Sequence, residues 1–130
     1  MIVVDTSALI AILDDEDDAR IYAAAISDAD PPLLSAASLV ETSVVMLNRH
    51  GPRSSRLVDG LIEEAGLKIE NVTAQHAVLA REAYAIYGKG QKSAGLNFGD
   101  CFSYALAKAT GLPLLFKGED FKKTDVVPAL

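Results

Sequence analysis

Ile2-Val3-Val4-Asp5-Thr6-Ser7-Ala8-Leu9 is the stretch on which the fold reading turns. The apolar run Ile2-Val3-Val4 reads as a short buried parallel strand. Asp5 stands at its end, where the chain should turn into a helix from about Thr6 to Leu13. A second run of the same kind, Leu114-Leu115-Phe116, leads through Lys117-Gly118-Glu119 to Asp120. Two further segments carry an acid where a chain usually turns: Ser38-Leu39-Val40-Glu41-Thr42, and Asn97-Phe98-Gly99-Asp100-Cys101. The four acids are scattered from position 5 to position 120, so only a fold can gather them. In open α/β sheets, ligands bind outside the carboxyl ends of the strands. Carboxylates collected there form a hard oxygen-donor site suited to Mg²⁺ or Mn²⁺.

Between the two runs, strands and helices alternate. An acidic loop, Asp14-Asp15-Glu16-Asp17-Asp18, precedes an alanine-rich helix near 18–28, which Pro31-Pro32 stops. Leu33-Leu34 reads as a strand. Helices follow over about Leu39–Arg49, ending at Gly51-Pro52, and over Ser54–Ala65, ending at Gly66. Leu67-Lys68-Ile69 reads as a strand. Thr73–Tyr87 reads as a helix, with Leu79, Ala83 and Ile86 on one face. The glycine-rich stretch Gly88–Phe98 reads as a loop that shapes the groove. Asp100–Ala109 reads as a helix ended by Gly111, and Val126-Val127 as a final edge strand. This alternation predicts one α/β domain over residues 1–130, with a mostly parallel sheet of four or five strands flanked by helices.

Half of the 130 residues are apolar, which fits a packed core and not a disordered chain. No apolar run approaches the ~20 residues that span a bilayer. The first residues lack the basic segment and cleavage site of an export signal. The expectation is a cytoplasmic protein without membrane association. Cys101 is the sole cysteine, so an internal disulfide and a cysteine-rich zinc site are excluded. The net charge of −6 is opposite to that of a dedicated nucleic-acid binder. It remains compatible with a nuclease whose metal offsets its own acids. The basic groups Arg49, His50, Arg53 and Arg56, and Lys117, Lys122 and Lys123, read as helix-end and solvated charges.

Each acid also has a structural reading. Asp5 could cap a helix. Ser38 and Glu41 make the Ser-x-x-Glu spacing of a capping box. Asp100 suits a first helical turn, and Gly118-Glu119-Asp120 is ordinary turn composition. Capping and metal binding can coexist, since a carboxylate has several lone pairs. Ser7 suits a supporting place beside Asp5 or a metal-bound water. His50 and His76 read as surface or half-buried residues, and Cys101 as an inert core thiol. The acidic run at 14–18 lacks the spacing of a calcium loop and reads as solvated.

Together these segments, with Tyr104-Ala105-Leu106-Ala107 and Thr124-Asp125, resemble the PIN domain, and within it the VapC-type toxins of bacterial toxin–antitoxin pairs. The resemblance covers essentially the whole chain. It implies a ribonuclease dependent on Mg²⁺ or Mn²⁺, a homodimer and a small silencing antitoxin. It matches Asp5, Glu41, Asp100 and Asp120 to the family's acidic quartet and Ser7 to its polar position. Asp5 and Asp100 would be the main metal ligands; Glu41 and Asp120 would act directly or through water. Glu119 departs from the pattern by standing where asparagine is common. Two other readings compete. One is a receiver-type signalling domain, which needs a central phosphoacceptor; Asp59 is the nearest candidate. The other is a PIN-like RNA-binding module without chemistry.

Overall fold

The computed structural model describes residues 1–90 and 94–130. Among these, four strands pair entirely in parallel in the order β3-β2-β1-β4. They are β1 (Ile2–Val4), β2 (Pro32–Ser35), β3 (Lys68–Glu70) and β4 (Leu114–Leu115). The helices are α1 (Thr6–Leu13), α2 (Ala19–Ser27), α3 (Ala36–His50), α4 (Ser54–Ala65), α5 (Ala74–Tyr87) and α6 (Asp100–Thr110), followed by a 3₁₀ turn at Asp120–Lys123. The fold is therefore α/β with a parallel central sheet, as the alternation predicts.

Strands β1, β2 and β4 are covered on both faces, while Lys68 of β3 is exposed. Val3 lies opposite Leu33 and Leu114 in neighbouring strands and packs with them toward α5 and α6. Val4, Leu34 and Leu115 turn to the other face, toward α1, α2 and α4. All six are almost fully buried. This explains why the strands read as continuous apolar runs and not as alternating ones. Truncating Leu34 or Leu115 to Ala should cost about 2–5 kcal/mol, the usual range for a filled core position.

Several expectations need correction. α3 begins at Ala36, not at Leu39. Ser35 ends β2 in an extended conformation, and its Oγ accepts the Ala37 N–H at 3.2 Å, so the strand runs into the helix without a loop. Ser38 is consequently inside the helix, and the Ser38–Glu41 capping box does not form. On α5 the buried face carries His76, Ala80 and Ala83, while Ile86 is 59% exposed. Thr73, the cap of that helix, sets the register; the small Ala80 lets α5 pack along α6. His76 is accordingly buried, and not surface or half-buried as expected. Val126-Val127 makes no strand. Leu114 donates to Val127 and accepts from Ala129, an isolated bridge on the outer edge of β4. The predicted groove loop Gly88–Phe98 is pinned at both ends by a Gly88–Leu96 bridge, and residues 91–93 of it lie outside the described residues.

Candidate active site

The carboxyl ends of the parallel strands and the starts of α1 and α6 meet at one edge of the sheet. An open pocket of about 330 Å³ lies there, lined by Asp5, Ser7, Glu41, Asp100 and Asp120 together with Asn97, Arg49 and Lys117. The four acids spread along the chain thus share one pocket.

Asp5 follows β1 directly, and its N–H donates to Leu115 O at 2.9 Å, which locks it to β4. Its side chain caps α1. Oδ2 accepts the Ser7 N–H at 3.0 Å and the Ser7 hydroxyl at 2.7 Å, and Oδ1 accepts the Ser103 hydroxyl at 2.5 Å. The residue is 2% exposed. Ser7 does more than hold Asp5, because its Oγ accepts the Lys117 N–H at 3.0 Å. It thereby ties the chain leaving β4 to the helix leaving β1.

Asp100 sits in the first turn of α6. Its Oδ2 accepts the Asn97 N–H at 2.9 Å, while Asn97 Oδ1 accepts the Asp100 N–H at 2.8 Å. This reciprocal pair is the capping box that the sequence reading placed at Ser38 and Glu41. The Asp100 carboxyl is pushed up to about 7, first by burial and then by the negative charge of Asp5, with Glu41 and Asp120 adding to it; the Asn97 N–H opposes the rise. Burial also raises Glu41, helped by Asp5 and opposed by the neighbouring Thr6 hydroxyl. Among the described residues, none of the four acids is paired with Lys, Arg or His.

Gly99 is a site residue the sequence reading missed. A Cβ there would collide with Glu41 Oε2, so the carboxylate occupies the space a side chain would need. Ser103 was missed as well. Asp100 and Ser103 are three apart on α6, and that spacing puts them on one face. The acid at position 120 is held by its neighbour: Phe121 is buried and packs on Phe116 with ring centroids 5.2 Å apart. Glu119 points elsewhere, 79% exposed, with Lys122 at 3.1 Å. Asp120 is therefore the acid of that pair that faces the pocket. Asp125 accepts from Tyr104 and Lys108, further along α6, and serves to anchor the C-terminal segment.

The acidic run at 14–18 is not simply solvated. Asp14 binds His50 and Arg49, whose hydrogen bonds and charge hold its carboxyl below the usual range. Lys117 bonds Glu16 and also Asp18 at 3.0 Å, which raises the ammonium's pKa. The loop thus restrains the two basic side chains at the pocket rim, which the sequence reading left as solvated charges. Cys101 is an inert thiol, as expected: burial and the nearby Asp100 push it up to about 11. Asp59 lies exposed within α4, away from the strand ends, so the receiver-type reading loses its phosphoacceptor.

A match to the PIN domain extends over residues 2–127. The chain belongs to the PIN domain family. It is 55% identical over 129 residues to Ribonuclease VapC28 of Mycobacterium tuberculosis, covering 98% of this chain and 97% of that protein. It is 51% identical over 124 residues to Ribonuclease VapC of Mycolicibacterium smegmatis, covering 95% and 96%. In structure it is similar to the crystal structure of M. tuberculosis VapC20, described as a Sarcin-Ricin loop cleaving toxin, with a TM-score of 0.76, 23% identity, and 98% and 97% of the two chains covered. That likeness independently supports the PIN fold.

Whether a divalent cation suits this pocket depends on its donors. They are all hard oxygens, and their accumulated negative charge has no cationic side chain bound to it among the described residues. Also among the described residues, no three His, Cys, Asp or Glu side chains converge closely enough to hold a metal ion between them. The hard oxygen donors fit Mg²⁺ or Mn²⁺, because Mg²⁺ keeps several waters and needs only one or two carboxylates. The same donors, without Cys or His, do not fit a structural zinc site.

Proposed function

We propose that this chain is a metal-dependent endoribonuclease of the VapC type, the toxin of a toxin–antitoxin pair. The observation that carries the proposal is the meeting of Asp5, Glu41, Asp100 and Asp120 in one pocket, where burial and the other three acids raise the Asp100 carboxyl. Crowding of this kind costs stability, and such strongly perturbed groups mark functional sites. The ribonuclease names of relatives at 50–55% identity over nearly the full chain support the same reading.

Asp5 and Asp100 are the proposed principal ligands of Mg²⁺ or Mn²⁺, with Glu41 and Asp120 acting directly or through water. When bound, the cation supplies an activated water and neutralises charge on the phosphate oxygens. The protein's own residues do the rest. Ser7 and Ser103 hold Asp5, and Asn97 holds Asp100, so the acids keep their positions when a substrate enters. Without the cation the same carboxylates repel the RNA backbone, so binding and chemistry both need it. Exposed single-stranded or loop RNA is the proposed substrate, because its unstacked bases can be read.

The cognate antitoxin and a second copy of the chain are the proposed protein partners. Helix α3 carries a solvent-exposed apolar stripe, Val40, Val44 and Leu47, of the kind that protein partners cover. Among the described residues no helix is long and apolar enough to cross a membrane, and we place the protein in the cytoplasm.

The test is RNA cleavage by the purified chain in Mn²⁺ and in chelator. Cleavage should require the ion and disappear in Asp5→Asn and Asp100→Asn, with circular dichroism unchanged. Full turnover by either variant at saturating Mn²⁺ would remove the acids from the mechanism. RNA binding without cleavage in any metal would favour the non-catalytic module.

A further inference from the structure

Behind Asp5 lies a buried row of hydroxyls that the proposed chemistry does not use directly. Ser103 Oγ is 2.5 Å from Asp5 Oδ1, and Ser38 Oγ is 3.1 Å from Ser103 Oγ. Ser103 is 0% exposed and Ser38 1%, so water cannot replace either. A serine has one proton to give. Ser103 donates its proton to Asp5, so the Ser38–Ser103 bond must run from Ser38 to Ser103. The row is therefore directional, from α3 through α6 to the acid at the end of β1. Ser38 is itself held. Its carbonyl accepts the Thr6 hydroxyl at 3.2 Å and the Thr42 hydroxyl at 2.8 Å.

Counting lone pairs gives the consequence. A carboxylate offers about four acceptor sites, two on each oxygen. The Ser7 N–H and hydroxyl fill both sites on Oδ2, and Ser103 fills one on Oδ1. One site is left, on Oδ1.

We infer that Ser103, backed by Ser38, is a positioning residue that fixes Asp5 so that Oδ1 presents a single open lone pair to the pocket. The inference rests on the proposed metal-dependent reading and adds residues that the acidic quartet does not contain. Asp5 is then a one-oxygen ligand whose orientation is set from three separate elements. Hydrogen-bonded partners behind a metal ligand typically matter by about 10–100-fold in metal affinity. A chain of hydroxyls polarised in one direction strengthens its last bond, the one to Asp5.

Mn²⁺ binding, measured by calorimetry and by the loss of the free-ion paramagnetic resonance signal without RNA, tests this. Ser103→Ala should weaken Mn²⁺ by about 10–100-fold. Ser38→Ala leaves the Asp5 contact in place and should weaken it by a smaller factor, several-fold. Tyr104→Phe is the control. It removes the 2.6 Å bond to Asp125 from a position one turn past Asp100 on the same helix, makes no hydrogen bond to Asp5, and should lower the melting temperature with Mn²⁺ affinity unchanged. The inference is overturned if both serine variants bind Mn²⁺ like wild type and lose only melting temperature. It is equally overturned if Tyr104→Phe weakens Mn²⁺ as much as Ser103→Ala, since loosening of α6 would then explain everything. If Ser103→Ala does not fold, wild-type affinity in Ser38→Ala overturns it alone. Failure of the underlying reading looks different: wild type and Asp5→Asn would then both show no Mn²⁺ binding.

Discussion

Replacing Asp100 with asparagine should make the metal-free protein more stable at neutral pH, and the gain should depend on pH in a defined direction. The Asp100 carboxyl moves from an ordinary value of 3.8 to about 7 in the folded state. Between those values the native protein holds a proton that the unfolded chain has released. Stability falls with rising pH wherever the native state binds more protons. This group therefore favours the fold fully below about pH 4, and its contribution is lost as pH rises toward about 7. Each pH unit across that window is worth about 1.4 kcal/mol, so the whole loss is about 4 kcal/mol. The amide of the Asp100→Asn variant would not titrate. Its oxygen can still accept the Asn97 N–H, and the backbone N–H of residue 100 still reaches Asn97 Oδ1, so the helix start is kept. Urea unfolding in chelator, at about pH 5 and about pH 8, should show the advantage of the variant widening by about 3 kcal/mol. Adding Mg²⁺ should narrow the gap at the higher pH, because wild type regains about 2.7 kcal/mol when the ion reaches about 100 times its Kd. Parallel stability curves for the two proteins in chelator would refute the reasoning. Asp100 would then be a helix cap whose charge the fold does not feel.

Other perturbations follow from the same geometry. Gly99→Ala should leave the fold intact but drive Glu41 out of its place, and RNA cleavage should fall by about 10²-fold, the scale of an ångström-sized misplacement; an active Gly99→Ala would show that Glu41 is dispensable. Cys101 should resist alkylation in the folded protein at about pH 8 and react at once in denaturant, since its thiol is raised to about 11 and buried. Metal and antitoxin should weaken each other reciprocally if an antitoxin Arg or Lys enters the acidic pocket. Titrating the cognate antitoxin with and without Mn²⁺ measures this, and equal affinities would place inhibition outside the metal site.

Much of the architecture was legible because the strands are short, apolar on both faces and punctuated by glycine and proline. β1, β2 and β4 appear within a residue or two of their expected positions. Where reading failed, a local rule was outweighed by a neighbour. Ser-x-x-Glu is a sound capping signal, but Ser35 caps first because β2 runs directly into α3. Leu79, Ala83 and Ile86 form a reasonable apolar row, but packing against α6 selects the smaller Ala80 and Ala83 and leaves Ile86 outside. The acidic loop at 14–18 looks solvated until Lys117 and Arg49, distant in sequence, fold against it.

The four acids were legible for a different reason. Asp5, Asp100 and Asp120 occupy a helix start or a turn, which is where a carboxylate is least costly to a fold, and Glu41 lies further inside α3, so no single one betrays a function. Asp5 still caps α1 and Asp100 still shares a capping box, even though both face the pocket. Capping uses one or two lone pairs and leaves others, so the same side chain can stabilise its helix and remain available to a cation. What separates the two roles is the sum. A cap alone would sit at its ordinary pKa in solvent, whereas Asp100 is lifted by burial and by three other acids at once. That sum is a property of the folded neighbourhood, set by Gly99 making room for Glu41 and by Phe121 anchoring Asp120 beside the sheet edge. The types and order of the acids are written in the sequence, but their mutual repulsion, which favours a site over a set of caps, arises only when β1 and β4 pair and α6 docks beside them.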